Sequence, residues 1–243
     1  MRKLTFSLLA VEALCGAAER QVLFPKGAKP IGPYSPGIRV GDTVWVSGQG
    51  SRDHLTGKHP EGFPAQARKT FENIRMILQS ASLDLRHVAY CQVYLDNFDD
   101  FEALNRVWGE HFQKDPPARA VMGVAAMPGG THVEITCVAT TSKKKPIRPK
   151  TFPRRGVPAV SPGMLVGETL YISGQGGVPA ADYASEVRQA LQNLGSVLKA
   201  AGMDFPNMVF VNPYLASREE TNVFNKVYAG FFEFGNTPGR ATI

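Results

Sequence analysis

Arg119 and Glu134, together with Tyr34, Ser47 and Asn105, are residues here whose types can bind charge or move protons. Arg119 lies in Pro117-Ala118-Arg119-Ala120, directly after Asp115-Pro116. A guanidinium at that point can make two parallel charge-assisted bonds to a carboxylate, which orients the acid as well as holding it. The structural alternative is an arginine buried to tie down the proline loop. Glu134 lies in Val133-Glu134-Ile135-Thr136-Cys137-Val138, and strand alternation sends it to the face opposite Val133, Ile135 and Cys137. A carboxylate there can accept the proton of an attacking water; its alternative is a solvated strand residue. Tyr34 follows Gly32-Pro33 in a constrained turn, which either presents its ring to a ligand or packs it on a neighbour. Ser47 and Asn105 are polar residues that could cap or brace a turn. The chemistry requires Arg119 to face Glu134 across a crevice that admits a small acid.

The elements that must position these residues occur twice. Residues Ile31 to Gly50 read IGPYSPGIRVGDTVWVSGQG, and Val157 to Gly176 read VPAVSPGMLVGETLYISGQG. Arg68, Asn73, Leu78, Ala81 and Asp84 recur as Arg188, Asn193, Leu198, Ala201 and Asp204. Tyr94-Leu95 returns as Tyr214-Leu215, Phe112 as Phe232 and Arg119 as Arg240. Asn105 returns as Asn225, 120 positions on. Solenoid units run only to about 50 residues, so this period indicates two duplicated domains. The second copy carries Val160 in place of Tyr34, and Pro158-Ala159 in place of Gly32-Pro33.

Within each copy, Gly-Asp or Gly-Glu marks a hairpin turn before a β-rich run such as Thr43 to Ser47. Ala67, Phe71, Ile74, Leu78 and Ala81 make one helical stripe, matched by Val187, Leu191, Leu194, Leu198 and Ala201. A strand is predicted over Val88–Leu95, a helix over Phe101–Phe112, and strands over Arg119–Ala126 and His132–Thr140. The order β-β-α-β-α-β-β gives an α+β class, each domain a mixed sheet with two helices on one face. In the second copy the strand matching Glu134 falls beyond Ile243. The sequence reads as truncated there, since a missing strand would expose a sheet edge.

The 243 residues carry 27 basic and 21 acidic side chains. Seven of the basic ones crowd into Lys143 to Arg155, and without them the balance is 20 to 21, a net of −1. A nucleic-acid partner is therefore disfavoured, and the run reads as a basic, proline-containing linker. The expected boundaries are an export signal at 1–20, a first domain at 21–142, the linker at 143–152 and a second domain at 153–243. Arg2-Lys3, an apolar stretch and Cys15-Gly-Ala-Ala suggest the signal and favour an exported, periplasmic protein over a cytoplasmic one. No later run is long enough to span a bilayer. Cys91 and Cys137 sit in apolar strands and read as buried thiols or as one disulfide. The five histidines have no paired spacing, so no metal site is expected.

Taken together, G-P-Y-S-P-G, S-G-Q, P-A-R-A and V-E-I-T resemble the Rid family (YjgF/L-PSP proteins). The resemblance covers Pro25 to about Ser142 nearly end to end and Pro153 to Ile243 less fully. It implies a chorismate-mutase-like fold, homo-oligomers with ligand sites in clefts between neighbours, and imine or enamine deamination to 2-keto acids and ammonia with no cofactor. It implies that Arg119 grips the substrate carboxylate, that Glu134 holds the attacking water, and that Tyr34, Ser47 and Asn105 line the pocket. Arg240 occupies the arginine position of the second copy. Val121 stands where many deaminases of the family carry cysteine or serine, which bears on the substrate. A trimeric or pseudo-hexameric ring is the expected assembly.

Two other functions compete with the deaminase. One is a non-catalytic protein that binds a small carboxylic acid in inter-domain clefts. The other is RNA cleavage, suggested by the family's historical label but disfavoured by near-neutral domains and the lack of a histidine pair.

Overall fold

The computed structural model describes residues 19–27, 32–150, 160–177 and 182–243. The expected export signal falls outside the described residues except for Glu19 and Arg20. Among the described residues no helix is long and apolar enough to cross a membrane, and no cluster of His, Cys, Asp or Glu could hold a metal ion.

Repeat one opens with β1 (Arg20–Leu23) and a hairpin of β2 (Gly37–Val40) and β3 (Thr43–Gln49). The hairpin turns at Gly41, whose φ of 58° is a left-handed conformation that glycine adopts without a Cβ clash. There follow α1 (Phe63–Gln79), β4 (Val88–Leu95), α2 (Phe101–His111), β5 (Ala118–Gly123) and β6 (Val133–Thr140). The sheet order is β1-β2-β3-β6-β4-β5, with β4 and β5 parallel and the other neighbours antiparallel. Phe71, Ile74 and Leu78 of α1 and Leu104 and Trp108 of α2 are buried on one face of this sheet. Their spacing of three and four residues keeps each apolar stripe turned to the strands. Cys91 and Cys137 pair across β4 and β6 as free thiols inside this core.

Repeat two runs β7 (Lys144–Ile147), β8 (Gly163–Val166), β9 (Thr169–Ile172), α3 (Tyr183–Ala200), β10 (Phe210–Val211), α4 (Thr221–Tyr228) and β11 (Gly239–Arg240). Asp182 caps α3, its Oδ1 accepting from the Ser185 backbone N–H at 2.8 Å. The described strands form a three-stranded sheet, β7-β8-β9, and a parallel pair, β10-β11. In repeat one the corresponding halves are joined through β6.

The linker expected at 143–152 is corrected by β7. Lys144 to Ile147 pair with Val166 to Gly163 in the same antiparallel register by which β1 pairs with β2. Charge had hidden the strand. Lys144 alternates inward and donates from Nζ to the carbonyls of Arg86 and Val88, both at 2.6 Å. Pro146 is tolerated because β7 is an edge strand, where a missing donor costs little.

Candidate active site between the repeats

Arg119 is built into β5, and its register partner is Cys91, a core-facing residue of β4. Its side chain therefore projects to the helix side, where α2 receives it. The guanidinium carbon lies 4.6 Å from the Trp108 ring centroid and 5.7 Å from that of Phe101. Nη2 donates to Asn105 Oδ1 at 2.7 Å. Residues 101, 105 and 108 lie on one face of α2, so a single helix supplies both the aromatic cradle and the polar brace. Only 5% of Arg119 is exposed, and burial brings its pKa down to about 10, leaving it cationic at neutral pH. Nη1 is buried and has no hydrogen-bond partner.

Glu134 belongs to β6, opposite Tyr94 of β4, while its neighbours Val133 and Ile135 are buried in the core. It thus stands on the sheet face away from the helices, as alternation predicts. Its carboxylate rests against Gly48, where a Cβ would fall directly onto Oε1. Burial pushes the Glu134 carboxyl above its usual range. On the same face Gln92 Nε2 donates to Tyr94 and to Tyr214 of repeat two, both at 2.8 Å.

These placements correct the expectation that Arg119 faces Glu134 across one crevice. Arg119 registers with core-facing Cys91 and Glu134 with outward-facing Tyr94, so the two lie on opposite faces of one sheet. What Arg119 meets instead is repeat two. Its backbone N–H donates to Ser173 Oγ at 2.8 Å, and its carbonyl accepts from the Gly174 N–H at 3.0 Å. Ser173 Oγ in turn donates to the Ser161 carbonyl at 2.7 Å, next to Val160.

The remaining expected residues divide. Asn105 is brought to Arg119. Ser47 braces its own turn, donating from Oγ to the Ser35 carbonyl at 2.6 Å. Tyr34 precedes that turn and is half exposed. Arg240 lies over Phe224 and Tyr228 at 5.5 and 4.9 Å, repeating the cradle of Arg119 on an exposed edge. Sequence reading missed Trp108, Phe101 and Ser173. Helical spacing from Asn105 points to the first two, and the second SGQ to the third.

A cleft of ≈ 2560 Å³ runs between the repeats, lined by Arg119, Val121 and Gln92 on one side and Ser173, Gly174 and Tyr171 on the other. That volume exceeds what one small ligand fills, so Arg119 marks the corner of the cleft suited to an acid. Two α+β units thus meet with a buried arginine at their junction.

The family model described as Endoribonuclease L-PSP matches residues 25–141 and 157–243. The chain therefore belongs to that family, the Rid/YjgF/L-PSP proteins, as a tandem duplication. Similar curated proteins include Protein DfrA of Myxococcus xanthus, 36% identical over 51% of this chain and 97% of that protein. The 2-iminobutanoate/2-iminopropanoate deaminase of Capra hircus is 39% identical over 47% of this chain and 84% of its own length. Its namesake in Dermatophagoides farinae is 34% identical over 49% and 94%. Among solved structures, RidA from an Antarctic Psychrobacter is 39% identical, covering 49% of this chain and 98% of its own, with a TM-score of 0.48.

Proposed function

We infer that the protein hydrolyses small imine or enamine carboxylates to 2-keto acids and ammonia, using side chains alone. The observation that carries this reading is the buried, unpartnered Nη1 of Arg119, beside an Nη2 already fixed by Asn105. Leaving such a donor unsatisfied costs about 1–3 kcal/mol, which a bound carboxylate would offset while being oriented by the fork. In the reaction, water oxygen adds to the imine carbon while a glutamate carboxylate accepts the water's proton. The tetrahedral carbinolamine then collapses as that proton and the remaining hydroxyl proton pass to nitrogen through the carboxylate, ammonia leaves and the carbonyl forms. Glu134, with its raised pKa and its seat on Gly48, is the glutamate suited to this role. Because Glu134 and Arg119 occupy opposite faces of one sheet, a complete site takes its arginine and glutamate from different repeats. Relatives named as 2-iminobutanoate/2-iminopropanoate deaminases support the reaction class.

The second reading is a non-catalytic carboxylate-binding protein, favoured by the separation of Arg119 from Glu134 within the chain. One experiment decides between them. An amino-acid oxidase generates imine in solution, and 2-keto acid and ammonia release is compared with spontaneous hydrolysis. Acceleration that disappears in Glu134→Gln while 2-keto acid binding persists supports the deaminase. No acceleration with intact binding supports the binding protein.

A further inference from the structure

Repeat two presents Val160 where repeat one presents Tyr34, and the surrounding hydrogen bonds show that the two positions are structurally equivalent. Ser47 Oγ donates to the Ser35 carbonyl at 2.6 Å, and Ser173 Oγ donates to the Ser161 carbonyl at 2.7 Å. The residue before each acceptor serine is Tyr34 in one copy and Val160 in the other. Repeat two's turn is docked on repeat one. Ser161 Oγ donates to the Pro116 carbonyl at 2.6 Å, and Ser173 Oγ receives the Arg119 N–H. Val160 itself is half-buried against the core of repeat one, as are Phe101 and Val121.

Val160, Val121 and Phe101 line the same cleft as Arg119 with hydrocarbon, while Arg148 donates to the Val160 carbonyl at 3.3 Å and to Ser161 Oγ at 3.2 Å. Val121 follows Arg119 by two positions and shares its face of β5. Phe101 lies under the guanidinium, and Phe98 stacks on Phe101 at 5.2 Å. A tyrosine at position 160 would bring a ring and a hydroxyl to this wall, whereas valine brings neither. Val160, Val121, Phe101 and Phe98 thus offer a bound acid hydrocarbon contact.

We propose that Val160 is a specificity-determining residue of the inter-repeat cleft, selecting carboxylates with a branched aliphatic side chain over those bearing only a methyl group. This rests on the carboxylate-binding reading of Arg119 and deepens it by naming the substrate class. Each added methylene in an apolar pocket discriminates by about 10-fold or more, so the preference is large enough to measure.

The test uses isothermal titration with three stable 2-keto acids, pyruvate, 2-oxobutanoate and 3-methyl-2-oxobutanoate. All samples carry Arg240→Ala, which removes the repeat-two counterpart of Arg119, and Arg119→Lys reports which binding depends on Arg119. The branched acid is expected to bind at least about 10-fold more tightly than pyruvate. Val160→Tyr is expected to erase that ratio, and the near-isosteric Val160→Thr to reduce it in a chain that keeps its melting temperature. Equal affinities for the three acids, or a ratio unmoved by both substitutions, overturns the role of Val160 while leaving carboxylate binding intact. If no acid binds, or Arg119→Lys binds all of them unchanged, the carboxylate reading itself falls and this inference with it.

Discussion

Arg119 and Glu134 stand on opposite faces of a single sheet, separated by the strand that carries Cys91 and Tyr94. A guanidinium and a carboxylate so placed cannot clasp one small molecule from the same repeat. Each must find its complement on a neighbouring repeat, and within the chain Arg119 finds Ser173 and Gly174. Duplication thus places inside one chain a contact that single-repeat proteins could form only between chains.

The Asn105 brace should matter to ligand binding more than to folding. Asn105→Ala frees Nη2, so the guanidinium loses its fixed orientation while keeping its seat over Trp108. A 2-keto acid is expected to bind roughly 10-fold more weakly, about 1.4 kcal/mol, as read by titration calorimetry. Stability in urea should fall by about 1 kcal/mol.

Ser173 holds the repeats together at the arginine. Ser173→Ala leaves the buried Arg119 N–H and the Ser161 carbonyl without their hydroxyl partner. The expected cost is about 1–3 kcal/mol in chemical denaturation. Ser47→Ala removes a bond confined to one repeat, to the Ser35 carbonyl, and should leave protection of the Arg119 amide from hydrogen exchange unchanged. Ser173→Ala should lower it.

Gly48 is needed for room, not for a turn. Gly48→Ala drives a methyl group into the Glu134 carboxylate, so imine hydrolysis should fall by at least about 10-fold, consistent with the usual worth of a positioned general base. Carboxylate affinity at Arg119 should be unchanged, which separates this effect from general damage.

Glu134 also sets a pH dependence with a defined sign. Its folded-state pKa lies above the unfolded value because burial disfavours the charged form. Between those two values the native state holds a proton that the unfolded state has lost, so stability declines as pH rises through the window. Glu134→Gln should therefore raise the melting temperature at neutral pH, with the gain shrinking as pH falls toward about 4. Activity of the unsubstituted protein should show an acid limb above the ordinary glutamate pKa of about 4.3, with Glu134→Gln inactive across the same range.

The face of Glu134 was legible from sequence because alternation within one strand needs no knowledge of neighbours. The turn-bracing role of Ser47 was legible too, whereas Ser173, its counterpart in the repeated string, takes its importance from a contact with Arg119 that no local turn announces. What could not be read was the order β6-β4-β5, which depends on a strand from the end of the repeat inserting beside β4. Without that order, Arg119 and Glu134 read as facing partners when they are not. β7 escaped because two lysines and a proline outweigh its period-two pattern, although Ile147 is buried and Lys144 finds two carbonyls. The cradle of Phe101 and Trp108 was visible as helical spacing from Asn105, but the spacing does not say that a cation from another strand comes to rest on it.

The position of β6 has a consequence for synthesis. It is the last strand of repeat one to leave the ribosome, yet it inserts at the middle of the sheet, between β3 and β4. Until Val133–Thr140 emerges, a nascent chain holds two half-sheets whose inner edges have no ladder partner, a state open to wrong pairing. The sheet of repeat one can therefore be completed only once β6 has emerged, by insertion instead of by growth from an edge.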